Sequence, residues 1–290
     1  MCSLVHGPLK YSDRPISHHP EVVLVALRWW IYGSILPLLL SSIVLVGNTA
    51  RTVRVDLPPA LDGVGTRTTC QARACAAQQL TTSFGNDIVV LFVRTGSNTT
   101  TLALSDSSGI VFTERLSYAS SEFHGGMIRE YYAVSISPLN SDNITVVPDQ
   151  CCYTIRGMQV LGVSGADTST IYDQNKSVPA TVSCPSEVCG YCHADANTNP
   201  GTCSASIHSS GADFVIVATQ INDTPGCGGY SSSPAGYRPP SGFTRITAPN
   251  GNFEVDYTIT KASRQVEFDC SGTDATAIVV DATTSSVLTD

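Results

Sequence analysis

The sequence predicts an all-β fold: a disulfide-rich β-sandwich of roughly 10–12 strands, preceded by one N-terminal hydrophobic helix. Charged residues make up only 14% of the 290-residue chain. Short apolar runs alternate with turn residues along most of its length, as in a protein built of strands and tight turns. The chain also contains eleven cysteines, which indicates cross-linking in an oxidising compartment.

The hydrophobic helix is predicted at residues 29–50, which carry no charge and have the length of a membrane-spanning helix. Trp29 and Trp30 stand at one end, as in an interfacial aromatic belt. Residues 1–28 are rich in basic residues and histidine, so this segment is expected in the cytoplasm and the remainder outside it. Residues 29–50 are either a transmembrane anchor or a cleaved signal peptide. Both alternatives predict an extracytoplasmic protein, on the cell surface or secreted.

Residues 51–82 are predicted to be a linker. Val53, Val55 and Leu57 alternate with polar residues, which is the period of a half-buried strand. This strand either begins the sheet of its own chain or is donated to a neighbouring copy. A short helix is predicted over residues 70–80, clipped by a bridge between Cys70 and Cys75.

The β-sandwich domain is predicted over residues 83–290, where turn residues separate strand-like segments. These segments are 86–93, 99–106, 108–116, 128–136, 143–148, 153–163, 180–184, 211–221, 242–247, 253–260, 265–270 and 275–283.

A faint internal repeat runs through this domain. Four segments recur in the same order roughly 122–133 residues later, for example NDIVVLFV (86–93) as ADFVIVAT, and EYYAVSI (130–136) as EVDYTIT. One interpretation is two similar strand sets that face each other across one core, neither of them stable alone. The alternative is the general likeness of β sequences.

The succession of Asn-Asp-Ile-Val-Val at 86–90, Ser-Asp-Ser-Ser-Gly at 105–109, Glu-Tyr-Tyr at 130–132 and Gly-Phe-Thr at 242–244 resembles jelly-roll-type sandwich domains of bacterial and archaeal surface proteins. With a short strand and an export segment ahead, the layout is also similar to archaeal surface-filament subunits of the donor-strand "thread" type. The resemblance covers about residues 83–285 and implies a jelly-roll-like sandwich that assembles by strand donation. The chain departs from it in its cysteine content and in an insert at 184–210.

Ten cysteines follow the hydrophobic segment, and an oxidising exterior predicts that they pair. The disulfide candidates are Cys70, Cys75, Cys151, Cys152, Cys184, Cys189, Cys192, Cys203, Cys227 and Cys270.

The insert at 184–210 allows three interpretations. Disulfides staple a loop that has no core of its own, or Cys189, Cys192 and His193 attach a c-type haem through their Cys-x-x-Cys-His spacing, or the cysteines hold zinc. Disulfides are favoured, because the host is all-β and the haem motif occurs once. We therefore expect no cofactor and no metal.

No catalytic motif is recognised. A hydrolase needs a base within reach of its nucleophile, and Gly162-Val-Ser-Gly165 lacks the final glycine of a nucleophile elbow. The strand carboxylates are expected on solvated faces; they include Glu114, Glu130, Glu254, Asp256 and Glu267. A net charge of −8 argues against nucleic-acid binding.

The expected function is therefore that of a non-catalytic structural or adhesive cell-surface protein, such as a filament subunit. Its expected partners are further copies, other surface proteins or glycans, and the membrane. The alternatives are a membrane-anchored haem redox protein and a carbohydrate-binding module that uses Tyr191, Tyr230 and Tyr237. Glycosylation is predicted at the sequons of Asn98, Asn143, Asn175 and Asn222.

Overall fold

Two large antiparallel sheets form the centre of the protein in the computed structural model. The structure describes residues 58–66, 70–71, 74–96, 101–119, 126–149, 155–183, 203–221, 239–246, 253–269 and 275–286. Within these ranges no helix has the length and apolar character needed to cross a bilayer. The predicted helix at 29–50 and the predicted strand at 52–57 lie outside them.

The first half of the fold contains ten strands, all before residue 165. They are β1 (Ala60–Val64), β2 (Cys70–Gln71), β3 (Ala74–Cys75), β4 (Gln78–Leu80), β5 (Asp87–Thr95), β6 (Leu102–Ser105), β7 (Thr113–Ala119), β8 (Met127–Ser135), β9 (Asp142–Pro148) and β10 (Ile155–Ser164). The large sheet has the order β1-β10-β5-β8-β7, a small sheet has the order β4-β9-β6, and β2 and β3 form a hairpin.

The second half contains seven further strands. They are β11 (Ala180–Ser183), β12 (Ser204–Ser209), β13 (Asp213–Ile221), β14 (Thr244–Arg245), β15 (Phe253–Ile259), β16 (Arg264–Asp269) and β17 (Ala275–Thr284). The large sheet has the order β11-β17-β13-β15-β14, and β12 pairs with β16 in a small sheet.

The second half repeats the topology of the first. In each large sheet the first strand pairs with the last, and the last pairs with the central strand. The central strand pairs on its other side with β8 or β15, which in turn pairs with β7 or β14, the strand that precedes it along the chain. The two central strands, β5 and β13, correspond to each other in the sequence repeat. The repeat predicted from sequence is therefore present in the strand order.

The two large sheets pack face to face. Alternate residues of β5 and β13 meet in one core cluster, which includes Ile88, Val90, Phe92, Phe214, Ile216 and Ala218. The intervening residues point the other way and pack against the small sheets: Val89 and Leu91 against β4 and β9, Val215 and Val217 against β12 and β16. The layers therefore run small sheet, large sheet, large sheet, small sheet.

This layering explains the unbroken apolar runs of the central strands. A strand that is buried on both faces has no solvent side on which polar residues would alternate. Every residue of β5 is buried. The all-β prediction is confirmed. The predicted single sandwich has two layers of sheet, whereas the structure has four.

Three local predictions differ from the structure. The helix predicted over residues 70–80 is wrong: β2 and β3 form a disulfide-linked hairpin and β4 follows. Within the predicted linker, β1 pairs with β10 and β4 pairs with β9, so both belong to the sandwich. Residues 204–209 of the predicted insert form β12. β2, β3 and β4 have two or three residues each, too few to show the alternation by which strands are recognised in a sequence. β12 does alternate, but it lies within a segment rich in cysteines and turn residues.

Candidate functional site

A surface groove lies beside the end of β8. Its volume is about 590 Å³, and its walls are residues 108–111 together with Thr113 on one side and residues 132–139 on the other. No charged side chain lines it. Two of its side chains, Val111 and Ile136, are 81% and 80% exposed. Such apolar exposure on a surface marks a candidate contact site.

The groove is bordered by an open sheet edge. The pairing of β7 with β8 stops at Thr113 opposite Tyr132, whereas β8 continues to Ser135 and pairs with β5 on its other side. Beyond Tyr132, no described strand covers the outer edge of β8. In an antiparallel sheet alternate residues direct their backbone N–H and C=O groups to each neighbour, so this edge offers hydrogen-bonding groups to an added strand.

One wall of the groove is held in place by two aspartates. Asp106 Oδ1 accepts hydrogen bonds from the backbone N–H groups of Ser108 and Ile110, over 2.8 and 2.9 Å. Asp142 Oδ1 accepts from the Ser107 hydroxyl over 2.6 Å. Gly109 has a φ of +80°, which favours glycine at this turn.

The opposite wall is also anchored. The backbone N–H of Leu139 donates to Thr82 Oγ1 over 2.9 Å, and Thr82 N–H donates to the carbonyl of Leu139 over 3.0 Å. The Ser135 hydroxyl donates to the carbonyl of Ser137 over 2.7 Å. Both walls are therefore preformed, which lowers the entropy lost when a partner binds.

A second polar feature, a buried ionisable cluster, joins the two large sheets. Glu130 of β8 and Asp281 of β17 are both 0% exposed. Arg115 donates from Nε to Asp281 Oδ2 over 2.9 Å, and its guanidinium lies 4.2 Å from the ring centroid of Tyr172. Tyr172 donates its hydroxyl to Glu130 Oε1 over 3.2 Å. Two buried carboxyls therefore share one arginine.

Burial raises the pKa of Glu130 well above its ordinary value, and the nearby Asp281 raises it further, while Arg115 lowers it. Burial also raises the pKa of Asp281, against the effect of its ion pair with Arg115. One guanidinium balances only one of the two carboxylates.

A β-bulge directs Arg115 into this cluster. Glu114 lies opposite Tyr131 and Leu116 lies opposite Glu130, so Arg115 is the extra residue between them. An extra residue interrupts the alternation of a strand and re-aims its side chain. In the second half, Arg245 lies directly opposite Asp256 in a regular ladder.

Arg245 belongs to a second buried acidic cluster. Its Nε lies 3.0 Å from Glu254 Oε2, and the Glu254 side chain is 0% exposed. Burial, followed by the neighbouring Glu254, raises the pKa of Asp256 to about 9, which Arg245 opposes. The expectation that Glu130, Glu254 and Asp256 lie on solvated faces is therefore wrong, because the large sheets are covered on both sides.

The predicted disulfide between Cys70 and Cys75 is present. Cys203 is also disulfide-bonded, and its partner lies outside the described residues. So do the other disulfide candidates, the haem candidates Cys189, Cys192 and His193, and the strand-donor candidates Val53, Val55 and Leu57.

Two of the four sequons are described. Asn143 is exposed on β9, where its Oδ1 accepts a hydrogen bond from Gln79 Nε2 over 3.3 Å. Asn175 is half-buried, and its Oδ1 accepts from the backbone N–H and the hydroxyl of Ser177, each over 3.0 Å. Asn98 and Asn222 lie outside the described residues.

Catalytic chemistry has little support in the described ranges. They contain no group of three or more His, Cys, Asp or Glu side chains arranged to hold a metal ion. His208 Nε2 lies 3.1 Å from Ser263 Oγ, on the exposed surface. A nucleophile and base of this kind also need a group that orients the ring, and no described carboxylate contacts His208.

The comparisons with known proteins give no relative: no protein-family model, no curated protein and no solved structure matches this chain. Functional inference therefore depends on the groove and on the buried clusters.

Proposed function

We propose that this chain is an exported, non-catalytic structural or adhesive cell-surface protein that assembles with further copies of itself. In this proposal the open edge of β8 accepts residues 51–57 of a neighbouring copy as an added strand. Main-chain hydrogen bonds supply the affinity, and side-chain contacts in the groove supply the specificity.

The observation that carries the proposal is the uncovered edge of β8 beside an apolar groove. Natural proteins protect sheet edges with charges, prolines or covering segments, because an open edge invites strand pairing. Here the edge is flanked by Val111 and Ile136, both about four-fifths exposed. A retained open edge of this kind is the expected property of a strand acceptor.

The proposed donor matches the groove in its pattern. Val53, Val55 and Leu57 alternate with polar residues, so an extended segment presents all three on one face. Seven extended residues span about 23 Å, enough to run along residues 133–136 and beyond. The apolar wall residues Ile110, Val111 and Val134 are suitable contacts.

Chain connectivity favours a donor from another copy. β1 begins at Ala60 and lies at the edge of the large sheet remote from β7. The open position beside β8 is four strand spacings away, about 19 Å, whereas Leu57 lies within about 11 Å of Ala60. A segment ending at Leu57 therefore cannot fill the groove of its own chain.

We further propose that each half is a jelly-roll-type module. If β1 and β4 to β10 are taken as strands one to eight, the large sheet has the order 1-8-3-6-5 and the small sheet 2-7-4. A jelly roll of eight strands has the orders 1-8-3-6 and 2-7-4-5. The fifth strand, β7, thus joins the large sheet, and this arrangement leaves part of the edge of β8 uncovered.

Deletion of residues 51–57 tests the proposal. We expect a folded protein that no longer assembles, measured by sedimentation and electron microscopy. The acceptor side is tested by Val111→Lys with Ile136→Lys, which places charges in the groove. The matched control is Val147→Lys, because Val147 is also exposed but lies on β9. Normal assembly of either the deletion or the groove variant contradicts strand addition at this edge.

A competition experiment separates the donor from the rest of the N-terminal region. A peptide of residues 51–57 should inhibit assembly of the full chain, because it occupies the groove. The same peptide with Val53→Asp and Val55→Asp should not, since charged side chains do not enter an apolar groove. Equal inhibition by both peptides contradicts side-chain recognition in the groove.

A further inference from the structure

Carboxyl groups lie beside one another in pairs at four places in the described fold. The pairs are Asp62–Asp87, Glu130–Asp281, Asp173–Asp213 and Glu254–Asp256. Seven of these eight residues are at most 2% exposed, the exception being Asp62. Buried carboxyls are unusual unless a cation or a proton neutralises them.

Two of the pairs occupy equivalent places in the two halves. Asp87 begins β5 and Asp213 begins β13, the central strands. Asp62, the partner of Asp87, accepts the backbone N–H groups of Ser83 and Phe84 over 2.7 and 2.9 Å. In the same manner Asp173 accepts the N–H of Ser210 over 2.6 Å. One aspartate of each pair thus accepts hydrogen bonds from the loop that precedes a central strand.

Within the described ranges, cations are too few to neutralise these groups. Arg115 contacts the Glu130–Asp281 pair and Arg245 contacts the Glu254–Asp256 pair. Neither Asp62–Asp87 nor Asp173–Asp213 forms an ion pair with a described lysine or arginine. Among the described residues, seven buried carboxyls therefore have two guanidinium groups beside them, and a proton is the other means of neutralising a buried carboxylate.

We propose that this protein is built for acidic surroundings, and that a proton shared by Glu130 and Asp281 locks its two halves together. Glu130 belongs to the first large sheet and Asp281 to the second. The other charged or titratable groups of the described residues that face this pair are Arg115 from β7 and Tyr172 from the connection between the halves. When the proton leaves, one carboxylate remains between the sheets without a counter-ion.

The direction of the pH dependence follows from the raised pKa values. Burial is the main cause that raises the pKa of Asp87 to about 7, that of Asp213 to about 6 and that of Asp256 to about 9, from an ordinary 3.8. A carboxyl whose pKa is higher in the folded chain contributes full stability below its unfolded pKa. That contribution is lost as the pH rises through the folded pKa.

Asp173 acts in the opposite direction, because hydrogen bonds from Ser210 lower its pKa despite burial. Its contribution is present above the unfolded pKa and is lost as the pH falls through the folded pKa. Stability should therefore be greatest near pH 4 to 5 and decline up to about pH 9, the highest of the raised values.

Thermal unfolding of the purified full chain in mild detergent, followed by circular dichroism from pH 3.5 to pH 9, tests the proposal. We expect the highest Tm near pH 4 to 5 and a fall of at least about 10 °C by pH 9. Glu130→Gln resembles the protonated side chain in shape, so this variant should lose less Tm over the same range. The control Glu267→Gln changes an exposed carboxyl on β16 and should behave as the parent.

A Tm that is constant or rises with pH overturns the proposal, and so does a Glu130→Gln variant that declines as steeply as Glu267→Gln. If Glu130→Gln does not fold, infrared spectroscopy of the parent protein replaces it. At pH 6.5 the folded protein should show the band of protonated carboxyl groups and the unfolded protein should not, and a folded protein without this band overturns the proposal. Neither measurement depends on assembly, so the result is independent of the proposed function.

Discussion

Arg115 is the residue on which the polar contact between the two halves depends. It reaches Asp281 across the sheets because a bulge makes it the extra residue of β7. The position of a bulge cannot be predicted from the alternation of polar and apolar residues in a strand. The sequence therefore predicted a regular strand over 108–116, with Arg115 as an ordinary member of it.

Replacement of Arg115 by Met tests this role. The change leaves Asp281 buried without its cation, so we expect the free energy of unfolding at pH 7 to fall by about 3 kcal/mol, measured by denaturant titration. The control is Glu114→Gln, which removes the neighbouring ion pair with Arg129; the Glu114 side chain is 39% exposed, and the loss should stay below about 1 kcal/mol. Equal losses in the two variants contradict the assigned role.

At Gly157, β10 of the first half lies close to Phe253 of β15 in the second half. A Cβ atom added there would lie 2.7 Å from Phe253 Cβ and 2.9 Å from its ring. We expect Gly157→Ala to lower the free energy of unfolding by about 1–3 kcal/mol, because the packed core must shift. Gly211→Ala is the matched control, since nothing lies within 4 Å of its added Cβ, and its stability should be unchanged or slightly higher.

At the scale of elements, the hairpin of β2 and β3 illustrates the effect of a covalent bond. The bridge closes a short loop, because Cys70 and Cys75 are five positions apart. Replacement of both by Ala should lower the free energy of unfolding by about 2 kcal/mol, through the entropy gained by the unfolded chain. Denaturant titration measures the loss. An unchanged value would show that the bridge does not constrain the unfolded state.

Most strands of the two large sheets were predictable from sequence, including the short β11, which was predicted at 180–184. The segments predicted at 86–93, 128–136 and 153–163 correspond to β5, β8 and β10 within one or two residues at each end. By contrast, β12 was assigned to a loop. Its six residues pair with β16 and alternate in burial, with Ala205 and Ile207 buried. This alternation was a local signal, but the surrounding cysteines and turn residues favoured a loop.

The sequence repeat also contained an error of register. It aligned Glu130 with Glu254. Glu130 faces the contact between the two halves. In β15, however, Phe253 and Val255 face this contact, and Glu254 lies on the opposite face of the strand. The strand ladders place Ser135 opposite Asp87 and Thr260 beside Asp213. This pairing shifts the correspondence by one residue, and a shift of one exchanges the two faces of a strand.

At the scale of the whole molecule, the shared core predicts a single cooperative unfolding transition. Phe214 of β13 is fully buried in the cluster that contains residues of both large sheets. We expect Phe214→Ala to lower the free energy of unfolding by about 3–5 kcal/mol and to shift one calorimetric transition as a unit. Two separate transitions in the variant or the parent would contradict the shared core.

The proposed donor strand was recognised from sequence, whereas its acceptor was not. Alternation of Val53, Val55 and Leu57 is a local pattern that can be read directly. The groove forms only because residues 108–111 and 132–139, distant along the chain, border the place where β7 stops. An open edge is a property of strand neighbours, and no residue type identifies it.

The position of β1 has a consequence for a protein held by its N-terminal side. β1 lies at a sheet edge, and β10 is its one neighbour in the sheet, so tension applied from that side reaches the β1–β10 ladder before any other part of the sandwich. The C-terminal strand β17 lies between β11 and β13 and has two neighbours. Under a steady pull the chain should therefore yield first at β1. Rupture of the β1–β10 ladder would then dissipate force while the remaining strands of both large sheets stay paired.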